Sequence, residues 1–208
     1  MAKIEVEHRG HLTQKQFREL SKFLKKNGKF LGEKDRFSVI YFAHGEKENF
    51  NLNQDNPIDL RVRITNKKTE LVLKYGKWGG RDTRKEFIFS VGYEKFEELV
   101  EFLHILGFYY GGLQATNTRV YVYKNVEIAL VKVPNWGYYF EAEIVTNPRL
   151  VKADDKKIIS VCKELGLSVL NDEEFCKLCE SLNNRPGFRF NFKKQKFSDI
   201  KKRFIDYF

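Results

Sequence analysis

Apolar and polar residues alternate with period two, between turn residues, in eight stretches. This predicts strands over 3–9, 37–43, 58–65, 69–75, 84–91, 118–124, 126–133 and 138–145. Turn signals separate several of them. Lys124-Asn125, Pro134-Asn135-Trp136-Gly137 and Gly76-Lys77-Trp78-Gly79-Gly80 each predict an antiparallel hairpin. Other stretches carry helical periodicity. One helix begins at a polar cap, Thr13, and stops at Asn27-Gly28; another runs from Tyr93 to about Gly107, with Phe96, Leu99, Val100, Leu103 and Leu106 on one stripe. Further helices are expected over Asp154–Leu165, Asp172–Leu182 and Ser198–Tyr207. The chain thus reads as α+β, an antiparallel sheet with helices against its apolar side.

Because residues i and i+2 of a strand share a face, the polar content of each face is legible. Glu5, Glu7 and Arg9 oppose Ile4 and Val6; Arg61 and Arg63 oppose Leu60, Val62 and Ile64; Arg119 opposes Val120 and Val122; Glu141 and Glu143 oppose Phe140, Ala142 and Ile144. The first and eighth strands present paired acids, and the middle strands present the cations Arg61, Arg63, Lys74, Arg84 and Arg119. A single strand of this kind is an ordinary solvated edge, but the pooled set is not. If eight such strands closed into a barrel with helices outside, its interior would hold charges that no hydrophobic core tolerates without a charged ligand. Paired carboxylates offer hard oxygen ligands to Mg²⁺ or Mn²⁺, and Arg and Lys bind phosphate oxygens, so a metal-bound polyphosphate satisfies both sets.

Composition narrows the setting. The 208 residues are 42% hydrophobic and 32% charged, which excludes a disordered or fibrous chain, and three Cys are too few for a disulfide scaffold. The N-terminus MAKIEVEHRG lacks an apolar leader, and the most apolar stretch, Leu99–Tyr110, is interrupted by Glu101 and His104. A soluble, cytoplasmic protein without membrane attachment is expected; oligomeric state is not legible. Of the net charge of +10, residues 185–208 carry +6 through eight Lys/Arg against Asp199 and Asp206, leaving +4 for the rest. This tail interleaves Phe with Lys and Arg, which suits nucleic acid or an acidic partner, and equally suits a basic helix that docks its Phe residues on the sheet.

The charged strands resemble, in order, the signatures of the CYTH or triphosphate tunnel metalloenzyme superfamily. Glu5-Val6-Glu7-His8-Arg9 resembles its ExExK motif, Leu60-Arg61-Val62-Arg63 its LRxR strand, Leu73-Lys74 its tunnel Lys, and Arg84-Lys85-Glu86 its RxE strand. Arg119-Val120-Tyr121 resembles its later Arg-containing strand, and Gly137-Tyr138-Tyr139-Phe140-Glu141-Ala142-Glu143 its GxFxExE strand. The likeness covers residues 1 to about 167. It implies an eight-stranded antiparallel β-barrel tunnel with a charged interior over 1–170 and a helical basic extension over 171–208. It also implies Mg²⁺ or Mn²⁺ at Glu5, Glu7, Glu141 and Glu143, with Arg9 beside them in catalysis, and phosphates at Arg61, Arg63, Lys74, Arg84 and Arg119. The implied ligand is a triphosphate such as ATP, thiamine triphosphate or tripolyphosphate. The implied activities are phosphoanhydride hydrolysis, or the class IV adenylyl cyclase reaction that yields cyclic AMP and pyrophosphate. A third reading is a module that binds nucleotide, polyphosphate or RNA 5′-triphosphate without turnover.

Two positions depart from the family pattern. Arg9 replaces a Lys, a fork in place of a point charge, and Val131 stands where the family has Asp, so a metal site would need completion by Glu127 or Glu86. Cys176 and Cys179 form a CxxC that lacks further ligands beyond Cys162 and reads as helix packing. Gly76–Arg81 is no P-loop, because the Gly-Lys-Ser/Thr ending and following helix are missing; it reads as a turn with Lys77, Trp78 and Arg81 available to a ligand.

Overall fold

The computed structural model describes residues 4–43, 58–75 and 85–208. In chain order the elements are β1 (Ile4–Leu12), α1 (Gln14–Asn27), β2 (Lys29–Ala43), β3 (Ile58–Thr65), β4 (Lys68–Tyr75), β5 (Lys85–Val91), α2 (Phe96–Ile105), β6 (Tyr110–Tyr123), β7 (Val126–Val133), β8 (Gly137–Thr146), α3 (Val151–Glu164), α4 (Asp172–Asn183), β9 (Arg189–Asn191) and α5 (Phe197–Arg203). The hydrogen-bonded order is β1-β8-β7-β6-β2-β3-β4-β5, with β9 on β6. The α+β class and the antiparallel sheet are as expected. Among the described residues β1 and β5 are the two ends of this order and do not pair with each other, so the sheet is observed but its closure into a barrel is not.

Three strand features differ from the sequence expectation. β2 starts eight residues early, through a segment broken by Gly32 at φ +136°, where alternation fails. β6 starts at Tyr110 instead of Thr118, through Gly111-Gly112, where period-two alternation is interrupted and Gly111 meets a close approach. A Cβ on Gly111 would lie 2.0 Å from the Ile40 carbonyl oxygen and 2.6 Å from the Phe190 ring. β9 has three residues, too few for a periodicity to register.

The described residues fall into two compact units, each with its own core: 4–34 with 116–178, and 35–43, 58–75, 85–115 and 179–208. In the first unit, α1 is started by a capping box. The Thr13 hydroxyl accepts from the Gln16 amide at 3.2 Å, and the Gln16 side chain accepts from the Thr13 amide at 2.9 Å. The helix then buries Phe17, Leu20 and Leu24 against Val6 and Leu12 of β1, Ile128 and Leu130 of β7, Phe140 and Ala142 of β8, and Ile158, Val161 and Cys162 of α3. Burial pushes the Cys162 thiol up to about 12, which leaves it an inert packing group. Gly10 lets β1 pass beneath the Ser168 carbonyl, which a Cβ would meet at 2.1 Å.

In the second unit Phe37, Val39 and Tyr41 of β2 and Val62 and Ile64 of β3 pack with Phe96, Val100 and Leu103 of α2. The C-terminal segment completes this core with Phe188, Phe190 and Ile200, and Phe192, Phe197, Phe204 and Phe208 pack against it. The Phe residues of the basic tail are therefore core residues, while Lys193, Lys194, Lys196 and Lys202 remain exposed. Among the described residues no helix is long and apolar enough to cross a membrane.

Candidate functional site

Strand register sorts the first unit's polar face into rows. Glu7 of β1 pairs with Glu143 of β8, which pairs with Glu127 of β7. The next row is Arg9, Glu141 and Ala129, and the one after is His11, Tyr139 and Val131. Side chains at these alternate positions share the face opposite the helix-packed core. Four of the expected acids and Arg9 thus lie on one face, together with Glu127. That glutamate, one of the two residues named to complete a metal site in place of an acid at Val131, lies on the same register face as Val131.

Carboxylate oxygens of Glu5, Glu7 and Glu143 all lie within 4.8 Å of one another. Arg9 bridges two of the acids: its Nε lies 3.0 Å from Glu141 Oε1 and also donates to Glu7, with its guanidinium over the Phe175 ring at 5.2 Å. Lys34 reaches Glu127 at 3.8 Å. The cluster holds more negative charge than these cations compensate. Burial, the hydrogen bond with Glu5 and the neighbouring carboxylates push Glu143 up to about 9. Burial also raises Glu7, to about 7, with Glu141 and Glu5 adding to the effect and Arg9 opposing it. Three carboxylates whose oxygens lie this close together are a hard donor set that suits Mg²⁺ or Mn²⁺, so the residues present fit a divalent ion. The set is Glu5, Glu7 and Glu143; among the described residues Glu141 is not part of it, nor is any cysteine. Val131, 2% exposed, offers no ligand on this face.

Arg119 does not join the acids. It pairs across the sheet with Leu130, a core residue of the opposite face, and its guanidinium reaches Glu33 at 2.9 Å and Ser21 of α1 at 3.2 Å. At 46% side-chain exposure it braces helix to sheet. The expectation that it holds phosphate with the others is corrected by register. The even residues of β6, not the odd ones, share the acids' face.

In the second unit Arg61, Arg63 and Lys74 share one face, and the same face carries Asp59, Glu70 and Glu86. Asp59 holds Arg61 in a fork, Nε at 2.6 Å and Nη2 at 2.5 Å. Glu70 accepts from Arg63 at 2.6 Å, and Glu86 lies 3.9 Å from Arg63 and 3.8 Å from Lys74. These acids were legible by the same alternation, since Asp59 stands two residues before Arg61 and Glu70 four before Lys74. They orient the cations in advance and hold this face near neutrality. Arg84, Lys77, Trp78 and Arg81 lie outside the described residues.

The chain is an antiparallel α+β sheet protein, and the first unit's strands carry α1 and α3 on one face and a carboxylate-rich ionic face on the other. No family model and no curated protein matches the sequence. Solved structures do match its fold. The PH1819 protein of Pyrococcus horikoshii has 22% identity over 84% of this chain and 97% of its own, with a TM-score of 0.67. A protein of Vibrio parahaemolyticus described as a "putative adenylate cyclase" has 12% identity over 97% and 99% of the two chains, TM-score 0.60. A "putative adenylyl cyclase" from Hippeastrum, described as having a dominant triphosphatase activity, has 15% identity over 97% and 96%, TM-score 0.51. At these identities the likeness is one of fold alone, an α+β fold shared with structures described as adenylyl cyclases.

Proposed function

We propose that the protein binds a triphosphate together with Mg²⁺ or Mn²⁺ and hydrolyses one of its phosphoanhydride bonds. The observation that carries this reading is the Glu5–Glu7–Glu143 cluster, in a fold shared with proteins named as cyclases and a triphosphatase. Glu5, Glu7 and Glu143 would hold the ion. When bound, it supplies neutralisation and polarisation of phosphoryl oxygens. Arg9, paired with Glu7 and Glu141, would offer a fork to a phosphate oxygen once a ligand competes with the carboxylates. Arg61, Arg63 and Lys74 are the phosphate-holding groups of the second unit, oriented by Asp59, Glu70 and Glu86. The closed tunnel implied by the sequence resemblance belongs to the same proposal.

Adenylyl cyclase chemistry uses the same residue types and differs in which phosphorus meets the nucleophile. Binding without turnover is favoured by one observation, the buried Val131 in place of an acid. Incubation with ATP, tripolyphosphate and thiamine triphosphate under Mg²⁺ or Mn²⁺ separates the three. Released phosphate supports hydrolysis, and pyrophosphate with cyclic AMP supports the cyclase. Metal-dependent binding without product supports the module. No metal-dependent binding of any triphosphate overturns the proposal.

A further inference from the structure

The polar face of the first unit is graded along the strands. The row of Glu7 and Glu143 is carboxylate, the row of Arg9 and Glu141 is a cation with its partner, and the row of His11 and Tyr139 is aromatic. The turn between β7 and β8 completes that last row. Asn135, at φ +58°, and Gly137, at φ +153°, fold Pro134-Asn135-Trp136-Gly137 back, and the Trp136 amide donates to the Val133 carbonyl at 3.2 Å. The Trp136 ring thereby comes 5.7 Å from His11, tilted by 32°, and 6.3 Å from Tyr139, edge-on at 79°. Tyr139 is buried, Trp136 half-buried and His11 exposed, so this aromatic group reaches the surface on the same face as the carboxylates. Packing of α1 and α3 does not account for it, because they cover the other face.

We infer that His11, Trp136 and Tyr139 form a stacking subsite for a flat heteroaromatic ring. The preferred ligand is then a ring-bearing triphosphate, a nucleoside or thiamine ester, over inorganic tripolyphosphate. The inference rests on the metal-triphosphate reading above and adds the substrate class. Four residues separate His11 from Glu7 along β1, and four separate Tyr139 from Glu143 along β8, or about 14 Å at roughly 3.4 Å per residue. The order of rows, oxygen ligands then Arg9 then aromatics, matches the order metal, phosphate, ring in such an ester. Tyr and Trp give rigid stacking surfaces, and stacking accepts different rings because each presents a π-face.

Trp136 and Trp78 are the two tryptophans of the chain, so Trp78→Phe leaves Trp136 as the sole indole reporter. Mg²⁺ complexes of ATP, thiamine triphosphate and tripolyphosphate are titrated into this variant while indole emission and Kd are followed. The expected result is a change in Trp136 emission with at least one ring-bearing ligand and not with tripolyphosphate; the ATP and thiamine arms identify the ring. Adding Trp136→Ala should erode the preference for the ring-bearing ligand over tripolyphosphate by about 5- to 150-fold, with tripolyphosphate affinity retained. His11→Ala should erode it in the same direction, and Trp136→Phe should restore most of it. If tripolyphosphate binds but the preference is unchanged by Trp136→Ala, or all three ligands weaken equally, the subsite is refuted while the metal-triphosphate reading stands. If none of the three binds, both fall.

Discussion

Replacing Glu7 with Gln should make the metal-free protein more stable at alkaline pH, although it removes a partner of Arg9. The Glu7 carboxyl is raised from an ordinary 4.5 to about 7, chiefly by burial. The native state therefore keeps a proton that the unfolded chain loses above 4.5. Stability is greatest below that value and declines as pH rises through about 7, and Glu143, raised to about 9, extends the decline. Each pH unit of displacement is worth about 1.4 kcal/mol, so the Glu7 shift costs the metal-free protein on the order of 3 kcal/mol above pH 7. Glu7→Gln removes that cost while keeping an oxygen that can accept from Arg9. Urea unfolding in EDTA from pH 5 to 9 measures it. Wild type should lose stability toward pH 9, the variant should lose less, and the two curves should converge near pH 5. Excess Mg²⁺ or Mn²⁺ should restore wild type at high pH and leave the variant little changed, since the ion replaces the protons. Wild-type stability that climbs from pH 5 to 9 in EDTA, or a gap between the curves that does not vary with pH, would refute the reasoning.

Three further outcomes are expected. Arg61→Ala leaves Asp59, whose side chain is 4% exposed, without its forked partner, and should cost about 3–5 kcal/mol in urea unfolding; Arg61→Lys should cost less. Phe190→Ala opens the second unit's core and should cost about 3–5 kcal/mol, so deletion of 185–208 should unfold that unit instead of leaving a bare sheet. Gly10→Ala sets a methyl against the Ser168 carbonyl and the Phe140 ring, and thermal unfolding should show a loss of about 1–3 kcal/mol.

Most of the sheet was legible because its strands are amphipathic, and alternation records both the strand and its face. Legibility failed where the pattern is set by something other than a half-buried strand. The start of β6 carries two glycines that interrupt the alternation, and Gly111 is glycine because the Ile40 carbonyl lies against it. Arg119 was misassigned for a different reason. Its neighbours Val120 and Val122 looked like the buried face, but they lie on the acids' side, and Tyr121 is the one that enters the core. When both faces of a strand are largely apolar, the position of one charge does not decide which side meets the helices. The carboxylate cluster was legible as four acids but not as three, because which carboxylate oxygens converge depends on side-chain reach and not on alternation. Of the acids beside Arg61, Arg63 and Lys74, Glu86 stood in the RxE-like segment, whereas Asp59 and Glu70 lie in the alternation but match no signature residue.

The most direct test is calorimetric titration of tripolyphosphate into the whole chain with Mg²⁺ or with EDTA, repeated for Glu7→Gln with Glu143→Gln. Glu141→Gln serves as the neighbour outside the cluster. The account predicts binding that requires the metal, is lost in the double variant and is weakened less by Glu141→Gln. Equal binding in EDTA, or binding undiminished in the double variant, would contradict it.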